Sequence, residues 1–193
     1  MARLVVYNSI SLDGYFTGPD GDLSWAYEGS DDAEWNAFVA ENAQGGNESG
    51  GRLLFGRVTY EMMASYWPTP AAAEAHPTVA DGMNRMPKIV FSRTLKEASW
   101  ANSRLLSGPL AAEVVRLKNE PGDMVIFGSG TIVSALASEG LIDEYQIVVC
   151  PVALGKGRTM FEAVKASVPL KLARSRTFGN GKVFLSYEPA RQA

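Results

Sequence analysis

Three short stretches place glycines, hydroxyls and guanidinium groups directly after apolar runs: Gly56-Arg57-Val58-Thr59 after RLLF, Ser92-Arg93-Thr94 after KIVF, and Gly128-Ser129-Gly130-Thr131 after DMVIF. A helix that starts on Gly56 presents unpaired backbone N–H groups and the positive end of its dipole, a ready seat for an anion. Thr59 adds a hydroxyl, and Arg57 adds a planar fork shaped for phosphate. Ser92, Arg93 and Thr94 add two more hydroxyls and a second guanidinium. Gly128 and Gly130 let a backbone approach a pyrophosphate closely. Each stretch alone has a plainer reading: Arg57 as a solvated residue at a helix start, Ser92 and Arg93 as the opening of a turn. The glycine turn is not a Rossmann fingerprint, since Val133 stands where its third glycine would be. Together the three imply one ligand with several phosphates. Two arginines in separate loops suit a dinucleotide with an extra 2′-phosphate, NADP.

Ligands of open α/β sheets sit at the carboxyl ends of strands, so the elements must alternate. Arg3–Ser11, with Leu4, Val5, Val6 and Ile10, reads as a first strand. A long loop follows, with two Asp-Gly pairs and a Gly-Pro. Asp31 and Glu34 are spaced as an N-cap and its reciprocal partner, and Trp35, Phe38 and Val39 follow at helical spacing, so a helix runs from Asp31 to about Ala43. Gln44–Gly51 reads as a flexible linker. RLLF is a buried strand and Val58 to about Tyr66 its helix. Residues 71–86 have helical tendency interrupted by Pro77. KIVF, DMVIF and EYQIVVCPVAL are further strands, with helices over Leu110–Lys118 and Thr131–Glu139. LKLARSRTF and KVFLSYEP, joined by Gly-Asn-Gly, form a hairpin. The pattern is a single α/β domain over 1–193, with a mostly parallel central sheet and antiparallel C-terminal strands.

Composition narrows the function. The chain has 193 residues, is 46% hydrophobic and carries a net charge of −3. That is an ordinary globular balance, long enough for a core without staples. It argues against broad nucleic-acid binding, which needs a basic face. Cys150 is the one cysteine, so no internal disulfide forms and a reducing compartment is expected. It lies in an apolar strand with nothing nearby to lower its pKa, and reads as core. His76 is the one histidine, so any Ser-His-Asp triad would depend on it, and a multi-histidine metal site is excluded. No segment approaches the roughly 20 apolar residues of a membrane span. A cytoplasmic protein without metal is expected.

The order strand, SLDG, a loop ending in Trp25, helix, FGRVTYE, VFSRT, FGSGT and LIDEYQIVVCPVALGKGRTMF resembles the dihydrofolate reductase fold over nearly the whole chain. The similarity is closest to the reductase domain of the riboflavin-biosynthesis deaminase-reductase. The resemblance implies a three-layer α/β fold with helices on both faces of the sheet. It implies NADPH or NADP as cofactor, held by Gly56, Arg57, Thr59, Ser92, Arg93, Gly128, Ser129, Gly130 and Thr131. It makes the Asp13–Trp25 loop a mobile cover over the nicotinamide, flanked by Phe16 and Thr17. A lid that excludes water suits hydride transfer.

On the substrate side the chain departs from both patterns. Folate reductases place a carboxyl group on the first helix; here Asp31, Asp32 and Glu34 read as capping and dipole complementation. The riboflavin-type reductases carry a glutamate before the glycine turn, where this chain has Phe127, and the Cys and His ligands of their zinc-deaminase half are absent from the sequence. Asp13 of SLDG is retained, as a turn residue, a polar anchor or a relay to the substrate proton. Trp25, Tyr60, Trp67 and Phe127 read as core or as an aromatic pocket for a flat heteroaromatic or quinone-like substrate. The expectation is an NADPH-dependent reductase of a small pterin-, pyrimidine- or quinone-like molecule. The resemblance to the riboflavin-type reductases also implies a homodimer through the long strand and the C-terminal hairpin. The alternatives are a non-catalytic nucleotide-binding protein on the same scaffold and a flavin-using enzyme.

Overall fold

In a computed structural model, which describes residues 1–28, 31–48 and 50–190, short apolar runs become strands and the amphipathic stretches between them become helices. The order is β1 (Leu4–Ser11), β2 (Tyr15–Thr17), α1 (Ser24–Tyr27), α2 (Ala33–Glu48), β3 (Arg52–Gly56), α3 (Arg57–Tyr66), α4 (Pro70–Ala75), α5 (Pro77–Arg85), β4 (Lys88–Phe91), β5 (Ser103–Leu106), α6 (Leu110–Leu117), β6 (Met124–Phe127), α7 (Gly130–Ser138), β7 (Glu144–Cys150), β8 (Arg158–Thr159), β9 (Leu170–Thr177) and β10 (Val183–Pro189). The strands are mostly parallel with antiparallel C-terminal members, and helices cover both faces, the arrangement the sequence predicts.

The chain groups into two compact units. The first comprises Met1–Arg3 and Ala37–Ser129; the second comprises Leu4–Asn36 and the residues from Gly130 onward. In the first unit β5, β4, β3 and β6 lie side by side and all parallel. β3 is buried along Arg52–Phe55, as a strand covered on both faces must be. Its core gathers Leu53, Phe55, Tyr60, Met83, Met86, Val90 and Trp100. The Phe55 and Trp100 rings stack with centroids 6.2 Å apart. Prolines open both α4 and α5, where a missing N–H is harmless.

In the second unit β7 runs parallel to β1 and antiparallel to β10, which pairs antiparallel with β9. β2 pairs with β8 in a two-stranded sheet of its own. Lys182 and Gly181 close the turn back into β10 from Phe178, whose N–H bonds the Lys182 carbonyl at 3.0 Å. β9 is exposed along all eight residues.

Two expectations change. The helix continues to Glu48 through Gly45 and Gly46, where the sequence reads as a linker. Extension adds a hydrogen bond for each residue ordered, so a nucleated helix outruns about 1 kcal/mol of penalty per glycine. Its cap is Asp32 rather than Asp31: the Trp35 N–H donates to Asp32 Oδ1 at 2.7 Å. The cap moves because α2 begins at Ala33, which puts Asp32 next to its first turn. Strands β2, β5 and β8 and the single turn α1 carry too few residues to show a period in the sequence.

Candidate functional site

In the first unit the Gly-Arg-x-Thr and Gly-Ser-Gly turns are tied together. The Gly56 N–H donates to Ser129 Oγ at 2.8 Å. Thr59 Oγ1 lies 3.0 Å from Ser129 Oγ and accepts the Ser129 N–H at 3.2 Å. Thr59 is buried, so its hydroxyl holds the neighbouring turn in shape. That turn is unusual. Gly128 and Ser129 both adopt left-handed backbone, with φ of 60° and 56°. Glycine does so freely; a serine does so only where its surroundings hold it there. At Gly128 a Cβ would stand 3.0 Å from both Thr59 Cγ2 and Oγ1, so only glycine lets this turn close on Thr59. Helix α3 begins on Gly56, which has no side chain to cap it, and its first N–H groups stay open to an anion.

Two guanidinium groups belong to these strand ends. Arg57 is exposed and pairs with Glu61 at 2.8 Å along its own helix. Such a pair contributes about 0.3–0.5 kcal/mol, so an anion that draws Arg57 away forfeits little. Arg93 is exposed and makes no ion pair or hydrogen bond among the described residues. It is presented by a tight turn in which Ser92 Oγ accepts the N–H groups of Thr94 and Leu95 at 3.1 and 2.9 Å. Ser92 therefore builds the turn that carries Arg93.

Tyr60 leaves the list of substrate-facing residues. It is 3% exposed, and its hydroxyl accepts the Trp100 N–H at 2.8 Å. It lies in the core because α3 turns Thr59 and Tyr60 inward and leaves Arg57 and Val58 outside. Phe127, where the glutamate of the riboflavin-type pattern would stand, is half-buried against the same core. Among the described residues no three His, Cys, Asp or Glu gather as a metal site would require.

The second unit holds the remaining candidates. Asp13 is an anchor. Its carboxylate accepts the Ser11 hydroxyl at 2.6 Å and the N–H groups of Leu154 and Gly155 at 3.1 and 2.7 Å. These bonds, the Ser11 one foremost, hold its pKa down at about 2. At neutral pH it is therefore ionised, and its oxygens are engaged in holding the loop. The Asp13–Trp25 stretch, expected as a mobile cover, is bonded at several points. β2 within it pairs with β8, Asp22 accepts the Ser24 N–H at 2.9 Å, and buried Trp25 donates its indole N–H to the Asp22 carbonyl at 3.1 Å. Phe16 is buried, and its ring closes on Gly130, where a Cβ would stand only 2.8 Å from Phe16 Cζ. Thr17 Oγ1 is buried with no hydrogen-bond partner, a donor and acceptor awaiting something. Thr131 is exposed on the first turn of α7.

The second unit also buries a lysine. Lys182 is 2% exposed. Lys182, just before β10, starts an alternation continued by Phe184 and Ser186, and all three are buried.

The mostly parallel sheet with its antiparallel C-terminal hairpin, and the two phosphate-friendly strand ends knotted through Ser129, find parallels among known proteins. Residues 2–184 match the family model of the RibD C-terminal domain. YyaP of Bacillus subtilis is 27% identical over 190 residues, covering 96% of this chain and 94% of that protein. YwjB of the same organism is 27% identical over 180 residues, covering 92% of each. Among solved structures, a putative riboflavin biosynthesis protein from Shewanella superposes with a TM-score of 0.73 at 23% identity, covering 99% of this chain and all (100%) of that one. Dihydrofolate reductase from Enterococcus faecalis, in complex with NADP(H) and RAB-propyl, superposes with a TM-score of 0.64 at 16% identity, covering 98% of this chain and 97% of that one. These likenesses fix the fold as that of dihydrofolate reductases, and the match over 2–184 shows that the chain belongs to the RibD C-terminal domain family.

Proposed function

We infer that the protein is an NADPH-dependent reductase that passes a hydride to a small conjugated substrate. The observation that carries this reading is the left-handed Gly128-Ser129 turn, held by Thr59 and Gly56 at the start of α7. A strained serine fixed at a helix start is the kind of preorganisation an anion site uses. Membership of a family named for a riboflavin-biosynthesis domain, and the likeness in fold to a reductase crystallised with NADP(H), support it.

The residues suit such a cofactor by their chemistry. In the first unit the N–H groups at the start of α3, the Gly128-Ser129 turn and Arg57 would hold phosphates. Arg93, with no partner of its own, would take the 2′-phosphate that distinguishes NADPH from NADH. In the second unit Gly130 and Thr131 would add the first N–H groups of α7, and Phe16 and Thr17 would flank the nicotinamide, with the unpartnered Thr17 hydroxyl free to bond it. When bound, NADPH supplies the hydride. Phe16 would exclude water, and Asp13 would hold its loop against residues 154–155. Thr59 and Ser92 act one step back, by shaping the turns that meet the phosphates.

Calorimetric titration with NADPH, NADP and NADH tests the reading on wild type and on Arg93→Ala. NADPH is expected to bind, NADH at least tenfold more weakly. Arg93→Ala should lose roughly 10–100-fold in NADPH affinity, the equivalent of one charge-assisted contact of about 1.5–3 kcal/mol. Absence of binding by all three nucleotides removes the reductase reading. Binding without NADPH oxidation by any heterocycle or quinone favours a nucleotide-binding protein that is not an enzyme.

A further inference from the structure

Two lysines of this chain are almost wholly buried, and their surroundings differ. Lys88, in the first unit, has no exposed surface (0%), and its ammonium lies 4.3 Å from the Trp100 ring centroid. It donates to the carbonyls of Asn84, Met86 and Ala101 at 2.9, 2.9 and 3.1 Å, so each of its three N–H groups has an acceptor. Lys182, in the second unit, is 2% exposed and lies 4.7 Å from the Trp35 ring centroid. It donates once, to the Ala26 carbonyl at 3.0 Å, and forms no direct ion pair among the described residues, although the Glu28 carboxylate and the Cys150 thiol act on it electrostatically. Two N–H groups of a buried ammonium are left without an acceptor.

A buried cation in that condition is destabilising, far more so than one ringed by carbonyls. A purely structural role does not explain it, since a methionine would fill the same space without the penalty. The surroundings suggest what completes it. The Trp35 ring beneath the ammonium is met edge-on by Phe178 with centroids 5.1 Å apart, and both rings are buried. Ala26 belongs to α1, a four-residue turn with no side-chain cap, which has little stability of its own and can give way to a ligand. Aromatic rings beside a cation with unused donors suit a flat ring that carries negative charge on oxygen.

We propose that Lys182 is the substrate-anchoring cation of this protein and takes an anionic oxygen carried on an aromatic or conjugated ring. The word substrate rests on the reductase reading; the binding of the anion does not. The oxygen belongs to a ring carboxylate or to a phenolate-type group, and the same ammonium serves both.

Calorimetry of the full chain with benzoate, ionised 4-nitrophenolate and neutral benzamide tests it, with NADPH titrated in parallel on wild type and Lys182→Met. Wild type should bind one of the two anions at millimolar concentration or below, and benzamide at least tenfold more weakly. Which anion binds identifies the oxygen. Lys182→Met should lose at least tenfold for that anion, keep its NADPH affinity, and melt at or above the wild-type temperature; a structural lysine would lower it. Should Lys182→Met fail to fold, Lys182→Gln, which keeps a donor for Ala26, decides by the same tenfold criterion. Equal anion affinity in wild type and variant, equal binding of benzamide and benzoate, or no anion binding at all overturns the proposal. Anion binding through Lys182 without NADPH binding sinks the reductase reading and leaves the anchor standing.

Discussion

Thr59→Val is the sharpest probe of the knot between the two phosphate-friendly turns. Valine matches threonine in shape and keeps a methyl against Gly128, so only the hydroxyl is lost. Two donors then lose their acceptor: the Ser129 N–H and the Ser129 hydroxyl. Both are half-buried, and each neutral hydrogen bond of this kind contributes about 1–1.5 kcal/mol. The expected loss of stability is therefore about 2–3 kcal/mol, read from urea unfolding followed by fluorescence. A second effect lies in the turn. Ser129 is held at φ 56°, a conformation that costs a non-glycine residue about 1–2 kcal/mol. Freed from Thr59, it relaxes, and a ligand must then restore the turn on binding. The resulting loss in NADPH affinity is about 5–30-fold, the same 1–2 kcal/mol converted. Thr59→Ser keeps the hydroxyl and drops only the methyl, so it should retain most of the affinity. Pairing Thr59→Val with Ser129→Ala should give less than the sum of the single effects, because both remove the same bond. The reasoning is refuted if Thr59→Val stays within about 0.5 kcal/mol of wild type, or if Thr59→Ser is the more damaging of the two.

Lys88→Met should destabilise the first unit by about 2–4 kcal/mol in urea, since three carbonyls, one buried and two part-buried, lose their donor; a neutral result would mean that water replaces the ammonium. The depressed pKa of Asp13 gives its loop bonds a defined pH window: a lowered acid stabilises the fold above its unfolded pKa and ceases to as pH falls through about 2. The Gly155 and Leu154 amide resonances should therefore titrate with a midpoint near 2, and a midpoint near 4, the ordinary Asp range, would show that the clamp is absent. Gly130→Ala forces a methyl to within 2.8 Å of the Phe16 ring. It should lower stability by about 1–3 kcal/mol through overpacking and weaken NADPH binding, and a crystal structure of the variant with Phe16 unmoved would contradict this account.

The parts of this protein that can be read from its sequence are those where one residue type has one physical use. Gly128 can be anticipated because only glycine lets a turn close against Thr59. The main strands follow from short apolar runs, and the antiparallel ending from Gly-Asn-Gly between two alternating segments. Tyr60 and Trp25 could not be assigned, since an aromatic ring at helical or loop spacing serves core and pocket equally, and only the Trp100 N–H on Tyr60 and the Asp22 carbonyl on Trp25 decide between them. Thr59 and Ser92 show a subtler limit. Their hydroxyls stand where phosphate chemistry predicts them, yet both are engaged with the backbone of their own turns. Sequence spacing therefore identifies the region of an anion site but does not separate the groups that touch the anion from those that hold the groups that do. Lys182 makes the converse point. Its place in the Lys182, Phe184, Ser186 alternation marks a buried cation, but that it has one acceptor where Lys88 has three depends on residues 156 and 147 positions away in the chain, Ala26 and Trp35. Long-range pairing of that kind sets which buried charges are complete in themselves, and it is the incomplete ones that point to a ligand.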